Sequence, residues 1–254
     1  MKFAVITDVH GNAPALKAVL AEIDGLADIE HIFCLGDMIG IGPDTNQVLE
    51  MLFARDDVSM MTGNHDEAVL ALAKGQEHPL SHRHVKEHHQ WIAERIDAAF
   101  VEKLAGLPRV IQKTINNKQV LFTHYQIEDK KMHVSIANDP FAVIVEPNLP
   151  NLEQLFNGRT EDLICFGHHH PLQFFKNEET VFLNPGALGC THKPLAPYAI
   201  VSVEEEIKVE LKEAAYDNKE FLQSYEKLKV PEREFILTVF HGDQLKHQSR
   251  ANNS

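Results

Sequence analysis

Three stretches near the start of the chain follow the same order of residue types. Each has a short apolar run, then a turn of polar residues and glycine, and then apolar residues at helical spacing. The apolar runs cover residues 3–7, 31–35 and 58–61. Short buried strands that alternate with amphipathic helices predict an α/β fold. In such folds the turns after the strands lie at the carboxyl edge of the sheet, where ligands bind.

Polar side chains that can bind metals or transfer protons follow five predicted strands, the three above and residues 119–123 and 162–166. One such turn is ordinary turn or helix-cap chemistry. Five of them are expected to converge on one face of one sheet, which turn chemistry alone does not explain. His168 and His170 can reach one site because successive side chains alternate, and His169 then points elsewhere. The converging side chains are Asp8, His10, Asp37, Asn64, His65, His124, His168 and His170.

This set offers carboxylate, amide and imidazole ligands and no thiolate. It therefore favours Mn, Fe, Ni, Co or Zn over Ca or a structural cysteine-type zinc site. The set exceeds the needs of one tetrahedral ion, whereas two divalent metal ions about 3.5–4 Å apart, joined by one carboxylate, would use it. Two ions would add about +4 of charge locally, so an acidic protein could still hold an anionic ligand.

Composition limits the classes of function. The chain has 254 residues, 44% of them apolar, and no repeat or low-complexity linker divides it, so we expect one domain over residues 1–254. Its formal charge of −13 argues against stable nucleic-acid binding and against an anionic membrane surface. The first apolar run is too short for a signal peptide or membrane span, and the three cysteines show no CxxC spacing, so we expect a cytoplasmic protein. The oligomeric state stays open.

Residues 67–107 follow a helical pattern, and residues 78–89 within them are rich in histidine. His84 and His88 stand one helical turn apart and could bind a metal. Charged residues alternate with the histidines and no carboxylate or cysteine completes a site, so we interpret this segment as a solvated face. A role near the substrate entrance stays open. The histidines are His78, His82, His84, His88 and His89.

The rest of the chain is less regular. Prolines break residues 126–150, which we predict to be irregular with short extended pieces, and a strand is predicted at residues 180–183. Residues 197–241 alternate first like strands and then like helices. Their predicted elements are an antiparallel hairpin of residues 198–203 with 207–212 and helices near residues 221–228 and 232–240. The last dozen residues are polar and are predicted to fray.

The polar motifs, in their order along the chain, resemble those of the calcineurin-like metallophosphoesterases. They are Asp8-x-His10, Gly36-Asp37, Gly63-Asn64-His65-Asp66, His124 and Gly167-His168-x-His170. The runs Asp8-Val9-His10-Gly11-Asn12 and Gly36-Asp37-x-x-Gly40-x-Gly42-Pro43 are similar to the small bacterial and archaeal phosphodiesterase branch. The resemblance spans residues 2 to about 215. It implies a four-layer αββα sandwich of two mixed β-sheets flanked by helices.

The resemblance also implies a role for each ligand. The implied ligands are Asp8, His10 and His170 for one ion, Asn64, His124 and His168 for the other, and Asp37 as a bridge between both. A hydroxide that bridges the two ions would attack phosphorus in line. His65 is not a ligand in this scheme, and we expect it to act as the general acid. Asp66 could orient His65 or could cap the following helix, and both interpretations stay open.

Two departures from the family pattern bear on the substrate. Protein phosphatases and symmetrical dinucleoside tetraphosphatases of the superfamily carry Gly-Asp-x-x-Asp-Arg-Gly, whereas Gly40 and Ile41 stand at its second Asp and its Arg. In the small phosphodiesterase branch a segment ending in Arg-Asp-Gly follows an Asn-Pro-Gly turn, whereas this chain has His192 and Lys193 there. Either residue could contact the substrate in place of that arginine, or the segment could be an ordinary surface loop.

The sequence therefore predicts a metal-dependent phosphoesterase that hydrolyses a small phosphate ester, with a phosphodiester or nucleotide-like compound favoured. A phosphomonoesterase (phosphatase) and a dinucleoside polyphosphate hydrolase are alternatives in the same class. A non-catalytic binding scaffold of the same fold is another alternative, against which the intact His65 and the full ligand set argue. A nuclease is disfavoured because the chain is acidic and lacks a basic, aromatic-rich patch.

Overall fold

The computed structural model of the protein describes residues 1–246, so the end of the polar tail that was predicted to fray, residues 247–254, lies outside the described residues. The strands are β1 (Lys2–Ile6), β2 (His31–Cys34), β3 (Val58–Met60), β4 (Val110–Ile115), β5 (Lys118–Thr123), β6 (Leu163–Cys165), β7 (Gln173–Lys176), β8 (Val181–Asn184), β9 (Leu195–Val203) and β10 (Ile207–Ala215). The α-helices are α1 (Ala13–Asp24), α2 (Thr45–Phe53), α3 (Asn64–Ala73), α4 (Lys86–Ala93), α5 (Ala98–Ala105), α6 (Leu149–Leu155), α7 (Lys219–Lys227) and α8 (Arg233–Val239). Short 3₁₀ helices cover Leu80–Val85, Asp129–Lys131 and Ile136–Asn138.

Two five-stranded sheets each combine parallel and antiparallel pairs. The first sheet has the order β10-β9-β1-β2-β3, in which β1, β2 and β3 are parallel and β9 is antiparallel to both of its neighbours. The second has the order β4-β5-β6-β8-β7, in which β5, β6 and β8 are parallel and the two edge strands are antiparallel. These are the two mixed sheets that the resemblance implies.

The expectation that one sheet collects all the polar strand ends is wrong. β1, β2 and β3 lie in the first sheet, whereas β5 and β6 lie in the second. Apolar periodicity identifies a buried strand but does not say which sheet the strand joins. That choice depends on long-range pairing, since β1 pairs with β9 whereas β5 pairs with β4 and β6.

The inner faces of the two sheets share one apolar core. Phe33 of β2 stacks on Phe122 of β5 with ring centroids 3.8 Å apart, and Phe3 of β1 meets both rings edge-on. All three rings are fully buried. Aromatic pairs of these geometries each contribute about 0.5–1.5 kcal/mol beyond the burial of their area. The cluster therefore fixes one sheet against the other, close to the polar ends of β2 and β5.

Helices cover the outer faces of both sheets, which completes the four-layer αββα sandwich. Leu16 of α1 and Leu49 of α2 pack in one cluster with Ile32 on the outer face of the first sheet. Leu152 of α6 packs with Ile164 on the outer face of the second. Within residues 1–246, none of the helices has the length and apolar character that a membrane span requires.

The starts of the first two helices differ in their chemistry. α1 begins at Ala13, where Asn12 accepts the backbone N–H of Ala15 at 3.1 Å and Pro14 stands in the first turn. Asp is a common N-cap residue, so the sequence predicts that Asp44 caps α2. Asp44 does precede α2 at the cap position, but its side chain makes no capping hydrogen bond, so this prediction is wrong.

Residues 67–107 are largely helical, as predicted, but they form separate pieces. α3 ends at Ala73, and irregular backbone follows through Gly75, whose φ is 68°, and Pro79. A positive φ suits glycine, and proline cannot continue a helix, so both residues favour a break here. The chain then returns as a 3₁₀ helix and α4, which packs on α3. The histidines of residues 78–89 consequently do not lie along one continuous helix.

The sequence patterns do not predict β4, β7 or α6. β4 and β7 are edge strands with one buried residue each, so they lack the apolar run that marks the central strands. α6 is short and begins beside a proline that was interpreted as a breaker. The predicted hairpin and helices of residues 197–241 are confirmed by β9, β10, α7 and α8.

We expect Phe33→Ala to lower the free energy of unfolding by about 3–5 kcal/mol, because it removes a fully buried ring and leaves a cavity between the sheets. Phe174→Ala on β7 is the matched control, since Phe174 is 43% exposed. Loss of the Phe174 ring should lower the free energy of unfolding by less than about 1 kcal/mol. Urea unfolding followed by circular dichroism measures both values. Equal losses at the two positions would contradict the role given to the core between the sheets.

Candidate metal centre

The carboxyl ends of strands from both sheets meet at one edge of the sandwich. Oδ2 of Asp37, after β2, lies 3.2 Å from Nε2 of His124, after β5. The backbone N–H of His168, after β6, donates to Oδ2 of Asp8, after β1, at 3.1 Å. The structure therefore brings together the polar strand ends that the sequence predicts to converge, although they come from two sheets.

A first group of donor atoms belongs to Asp8, His10 and His170. The Nε2 atoms of the two histidines lie 3.1 Å apart, and Oδ1 of Asp8 lies 3.5 Å from Nε2 of His10 and 3.7 Å from Nε2 of His170. Sγ of Cys190 lies within 4.8 Å of a donor atom of each histidine. The sequence did not single out Cys190 as a site residue, and no ligand spacing in the sequence points to it.

A second group of donor atoms belongs to Asn64, His124 and His168. Oδ1 of Asn64 lies 2.9 Å from Nε2 of His124 and 2.6 Å from Nδ1 of His168. Asp37 joins this group, because donor atoms of Asp37, His124 and His168 lie within 4.8 Å of one another. These are the residues that the resemblance implies for a second ion.

Asp37 lies between the two groups. Its Oδ2 is 3.2 Å from Nε2 of His124 in the second group and 3.9 Å from Nε2 of His10 in the first. Its Oδ1 accepts the backbone N–H of His65 at 2.8 Å. A single carboxylate thus reaches both groups, which is the position that a bridging ligand requires.

The arrangement of these atoms fits divalent ions. Oδ1 of Asp8 is buried and has no hydrogen-bond partner among the described residues, although it faces His10 and His170. Ligand atoms held by one ion at about 2.0–2.2 Å lie about 3.0–3.6 Å from one another. Most of the separations in both groups fall near this range. Within residues 1–246, each set of three or more side chains that could hold a metal lies here: His10, His170 and Cys190; Asp37, His124 and His168; Asp8, His10 and Asp37.

Charges in the buried site balance one another. Burial alone would raise the pKa of Asp8 and of Asp37, but the neighbouring histidines hold both values below their usual range. Burial opposes a charged His124, yet Asp37 and Asp8 raise its pKa to about 9. Burial lowers the pKa of His168 to about 3 and that of His170 to about 4. These two rings are therefore neutral at pH 7, so their lone pairs can bind an ion.

Four of the predicted ligands have a left-handed backbone. The φ angles are 52° at Asp8, 48° at His10, 48° at Asp37 and 67° at His168. This conformation costs a non-glycine residue roughly 1–2 kcal/mol, and such residues cluster at functional sites. Each kink turns the chain out of its strand direction at the point where its side chain must face the shared centre.

Two glycines leave the space that the carboxylates occupy. A Cβ on Gly63 would collide with the side chain and backbone of Asp37. A Cβ on Gly167 would collide with Thr7 and with Oδ2 of Asp8, which accepts the Thr7 hydroxyl proton at 2.7 Å. The motifs Gly63-Asn64 and Gly167-His168 therefore need glycine so that the neighbouring strand's carboxylate fits.

His65 lies beside the two groups without belonging to either. Its ring meets that of His10 edge-on, with centroids 5.2 Å apart, and it lines the cavity at this edge. Its Nδ1 lies 2.8 Å from Nε2 of His89. This is the placement expected of a residue that transfers protons but does not bind an ion.

Asp66 holds backbone amides and does not contact the His65 ring. Its Oδ2 accepts the N–H of Gly63 at 2.9 Å, and its Oδ1 accepts the N–H of Ile39 at 3.1 Å. The first bond caps α3 and the second ties α3 to the loop after β2. Of the two interpretations left open by the sequence, the structure supports the helix cap.

The interpretation of residues 78–89 as a solvated face is wrong for most of their histidines. His88 and His89 are buried, His78 and His82 are half-buried, and His84 is exposed. Nε2 of His82 lies 2.9 Å from Nδ2 of Asn64, so this segment reaches the predicted ligands. The alternating charges were misleading because the break after α3 folds the segment back over the site.

His192 and Lys193 do not reach the site. Both are exposed, and neither lines the cavity. Nε2 of His192 donates to the backbone carbonyl of Val239 at 3.0 Å. The structure thus supports the interpretation of this segment as a surface loop.

A cavity of about 230 Å³ opens onto the predicted ligands. Its outer wall is apolar, and within the part of the chain that the structure describes no Lys or Arg lines it. The sequence did not single out this wall as part of the site, because its residues come from distant segments without a shared motif. They are Ile41, Val85, Ile144, Phe235, Ile236 and Phe240.

Known proteins are similar to this chain in sequence and in fold. Residues 1–206 match the calcineurin-like phosphoesterase superfamily domain. An uncharacterized protein of Methanocaldococcus jannaschii is 30% identical over 249 residues, which cover 90% of this chain and 93% of that protein. The crystal structure of a hypothetical protein from Pyrococcus horikoshii has a TM-score of 0.77 at 22% identity, over 95% of this chain and 98% of that one. A symmetrical bis(5′-nucleosyl)-tetraphosphatase of Pectobacterium atrosepticum is 36% identical over 76 residues, 30% of this chain and 27% of that protein.

The matched residues, 1–206, include every strand end that carries a predicted ligand. The two mixed sheets and the donor atoms at their shared edge agree with that match. The chain therefore belongs to the calcineurin-like phosphoesterase superfamily.

Proposed function

We propose that the protein is a dimetal phosphoesterase that hydrolyses a small phosphodiester. The observation that carries this proposal is the pair of donor groups that Asp37 joins. The superfamily is dimetal-dependent, and oxygen and imidazole donors suit Mn, Fe, Ni, Co or Zn. The proposed ligands are Asp8, His10 and His170 for one ion, Asn64, His124 and His168 for the other, and Asp37 for both.

Two bound divalent ions would supply water of lowered pKa and would neutralise the phosphoryl oxygens. The protein's own residues give the ions fixed positions. Asp8 and Asp37 provide negative charge at the buried edge, because both carboxyl groups are ionised there. His82 holds the amide of Asn64 at 2.9 Å, which leaves the Asn64 oxygen directed at His124 and His168.

His65 is the proton donor to the leaving oxygen in this proposal. Its ring lines the cavity, and its backbone N–H is held by Asp37 at 2.8 Å, so it lies beside the place where the phosphoryl group would bind. An alkoxide needs a proton as its bond to phosphorus breaks. A positioned general acid supplies about 10²–10⁴-fold of rate for such a step.

The cavity wall favours a substrate with little charge and an apolar substituent. Phe235 and Phe240 line it, and among the described residues neither Lys nor Arg does. The formal charge of −13 adds no attraction for anions. A phosphodiester carries one negative charge, which the ions can neutralise, whereas a polyphosphate chain extends beyond them and needs further cations.

A dinucleoside polyphosphate hydrolase is the second candidate. It is favoured by the similarity to the Pectobacterium atrosepticum tetraphosphatase, although that similarity covers 27% of that protein. Gly40 and Ile41 stand where such enzymes carry Asp and Arg. A non-catalytic scaffold is disfavoured because His65 is present and faces the cavity.

A panel of esters tests the proposed activity. We expect the Mn²⁺-loaded protein to prefer bis(4-nitrophenyl) phosphate and thymidylyl-thymidine, measured as kcat/KM, over 4-nitrophenyl phosphate and diadenosine tetraphosphate. Chelated protein should hydrolyse none of them, because the ions supply the nucleophile. Metal-independent turnover, or no turnover of any ester, would refute the proposal. A preference for diadenosine tetraphosphate would establish the second candidate instead.

Asp37→Asn is expected to weaken the binding of both ions, because it removes the charge of the group that lies between them. The metal content measured after dialysis should fall from about two ions per chain to less than one. The rise in melting temperature on adding Mn²⁺ should shrink in parallel. Asp56→Asn is the control, since Asp56 is exposed. Full metal content in Asp37→Asn would contradict the bridging role.

His65→Ala is expected to keep both ions and to lose at least about 10²-fold in kcat on thymidylyl-thymidine, whose leaving alkoxide needs a proton. Hydrolysis of bis(4-nitrophenyl) phosphate should fall far less, because nitrophenolate leaves without one. Metal analysis and steady-state kinetics on the two esters provide the comparison. A wild-type rate on thymidylyl-thymidine would show that His65 is not the proton donor.

A further inference from the structure

The His65 ring has a partner on the side away from the predicted ligands. Nδ1 of His65 lies 2.8 Å from Nε2 of His89, and Nδ1 of His89 lies 2.8 Å from Nε2 of His78. His89 is fully buried in α4, whereas His78 is half-buried in the segment before it. Three imidazoles therefore form a continuous chain from the cavity towards the surface.

Other groups near His65 do not occupy this position. Both carboxylate oxygens of Asp66 accept hydrogen bonds from backbone amides, those of Gly63 and Ile39. Gly40 lies directly against the ring, and a Cβ there would come within 2.9 Å of Nδ1 of His65. A side chain at position 40 would therefore displace the ring. His89 supplies the contact to Nδ1 in this structure.

The three histidines form a chain and not a metal site. In residues 1–246, the groups of side chains that could hold an ion include none of His65, His78 and His89. Burial lowers the pKa of His89 well below its usual value, with smaller contributions from His88, His78 and His82. A neutral imidazole has one N–H and one lone pair, so His89 must donate to one neighbour and accept from the other.

We propose that His89, held by His78, is the positioning residue that fixes the orientation and the tautomer of His65. Nδ1–H of His65 donates to Nε2 of His89, and Nδ1–H of His89 donates to Nε2 of His78. Nε2 of His65 is thereby left to carry the proton that passes to the leaving oxygen, and the ring keeps its Nδ1 proton after the transfer. This inference rests on the proposed function, because it concerns the proton donor of that reaction.

Two substitutions at position 89 separate this contact from general packing. In His89→Gln the amide reaches the place of Nε2, and its oxygen can still accept the Nδ1–H of His65. In His89→Asn the shorter amide reaches the place of Nδ1, beside His78, and leaves His65 without its acceptor. Both side chains are neutral amides that differ by one methylene, so each serves as the control for the other.

On thymidylyl-thymidine we expect His89→Gln to keep kcat within about 3-fold of wild type. His89→Asn should lower kcat about 10- to 100-fold, because it loses part of the rate that general acid catalysis supplies. KM for this substrate, and kcat for bis(4-nitrophenyl) phosphate, should change less than about 3-fold in both variants, because neither depends on the proton. His133→Gln, at an exposed histidine, should behave as wild type. A packing defect would lower the rates on both esters together.

Nitrogen-15 chemical shifts of the His65 ring provide a readout that does not depend on turnover. In the neutral form of the ring, wild type and His89→Gln should carry the proton on Nδ1, whereas His89→Asn should show a mixture of tautomers.

Equal kcat values for His89→Gln and His89→Asn on thymidylyl-thymidine would overturn the inference, whether both are high or both are low. A neutral His65 ring in wild type with its proton on Nε2 would overturn it as well. Failure of the proposed function looks different, because the wild-type protein with Mn²⁺ would then hydrolyse neither ester. The nitrogen-15 measurement still decides the role of His89 in that case.

Discussion

The buried carboxylate of Asp37 is the constraint on which the geometry of the site depends. It is 1% exposed and contacts His124 from the second sheet as well as the backbone of His65 from the first. Removing the partners of a buried charge costs about 3–5 kcal/mol, so these contacts hold the polar ends of the two sheets together. The stacked rings of Phe33 and Phe122, shortly before Asp37 and His124, set the spacing of the sheets at the same edge.

Backbone hydrogen bonds join the loops that carry the predicted ligands. The backbone N–H of Asp8 donates to the carbonyl of Gly36 at 3.1 Å, and that of His10 donates to the carbonyl of Asp37 at 2.9 Å. These bonds join the turn after β1 to the turn after β2, and they hold residues whose left-handed backbone is unfavourable by itself. The burial of both sheet faces offsets that cost. If these residues bind ions as proposed, ligand positions held by the backbone would lower the free-energy cost of ordering the site.

Local patterns were sufficient to predict the strand ends, because the apolar run and the Asp8 or Asp37 that follows it lie within a few consecutive residues. They were insufficient wherever the partner lies far along the chain. β9 pairs with β1 from a distant part of the chain, and His89 contacts His65 from 24 residues away. Neither contact has a periodicity of its own. The charged residues among the histidines of residues 78–89 favoured a solvated face, and only the break at Gly75 reverses that interpretation.

The sign of the charges explains why imidazoles surround His65. Among the described residues no Lys or Arg lines the cavity, so a phosphate ester would be held by the ions alone, and a further carboxylate facing it would weaken that attraction. Asp66 is turned towards backbone amides, and burial together with Asp37 raises its pKa to about 7, which limits its charge. His89 is a neutral imidazole and can hold the His65 ring without carrying a negative charge. In the proposed mechanism, an orienting imidazole would fix the proton donor without adding negative charge beside the phosphate ester, which suits a cavity that no Lys or Arg lines in the described part of the chain.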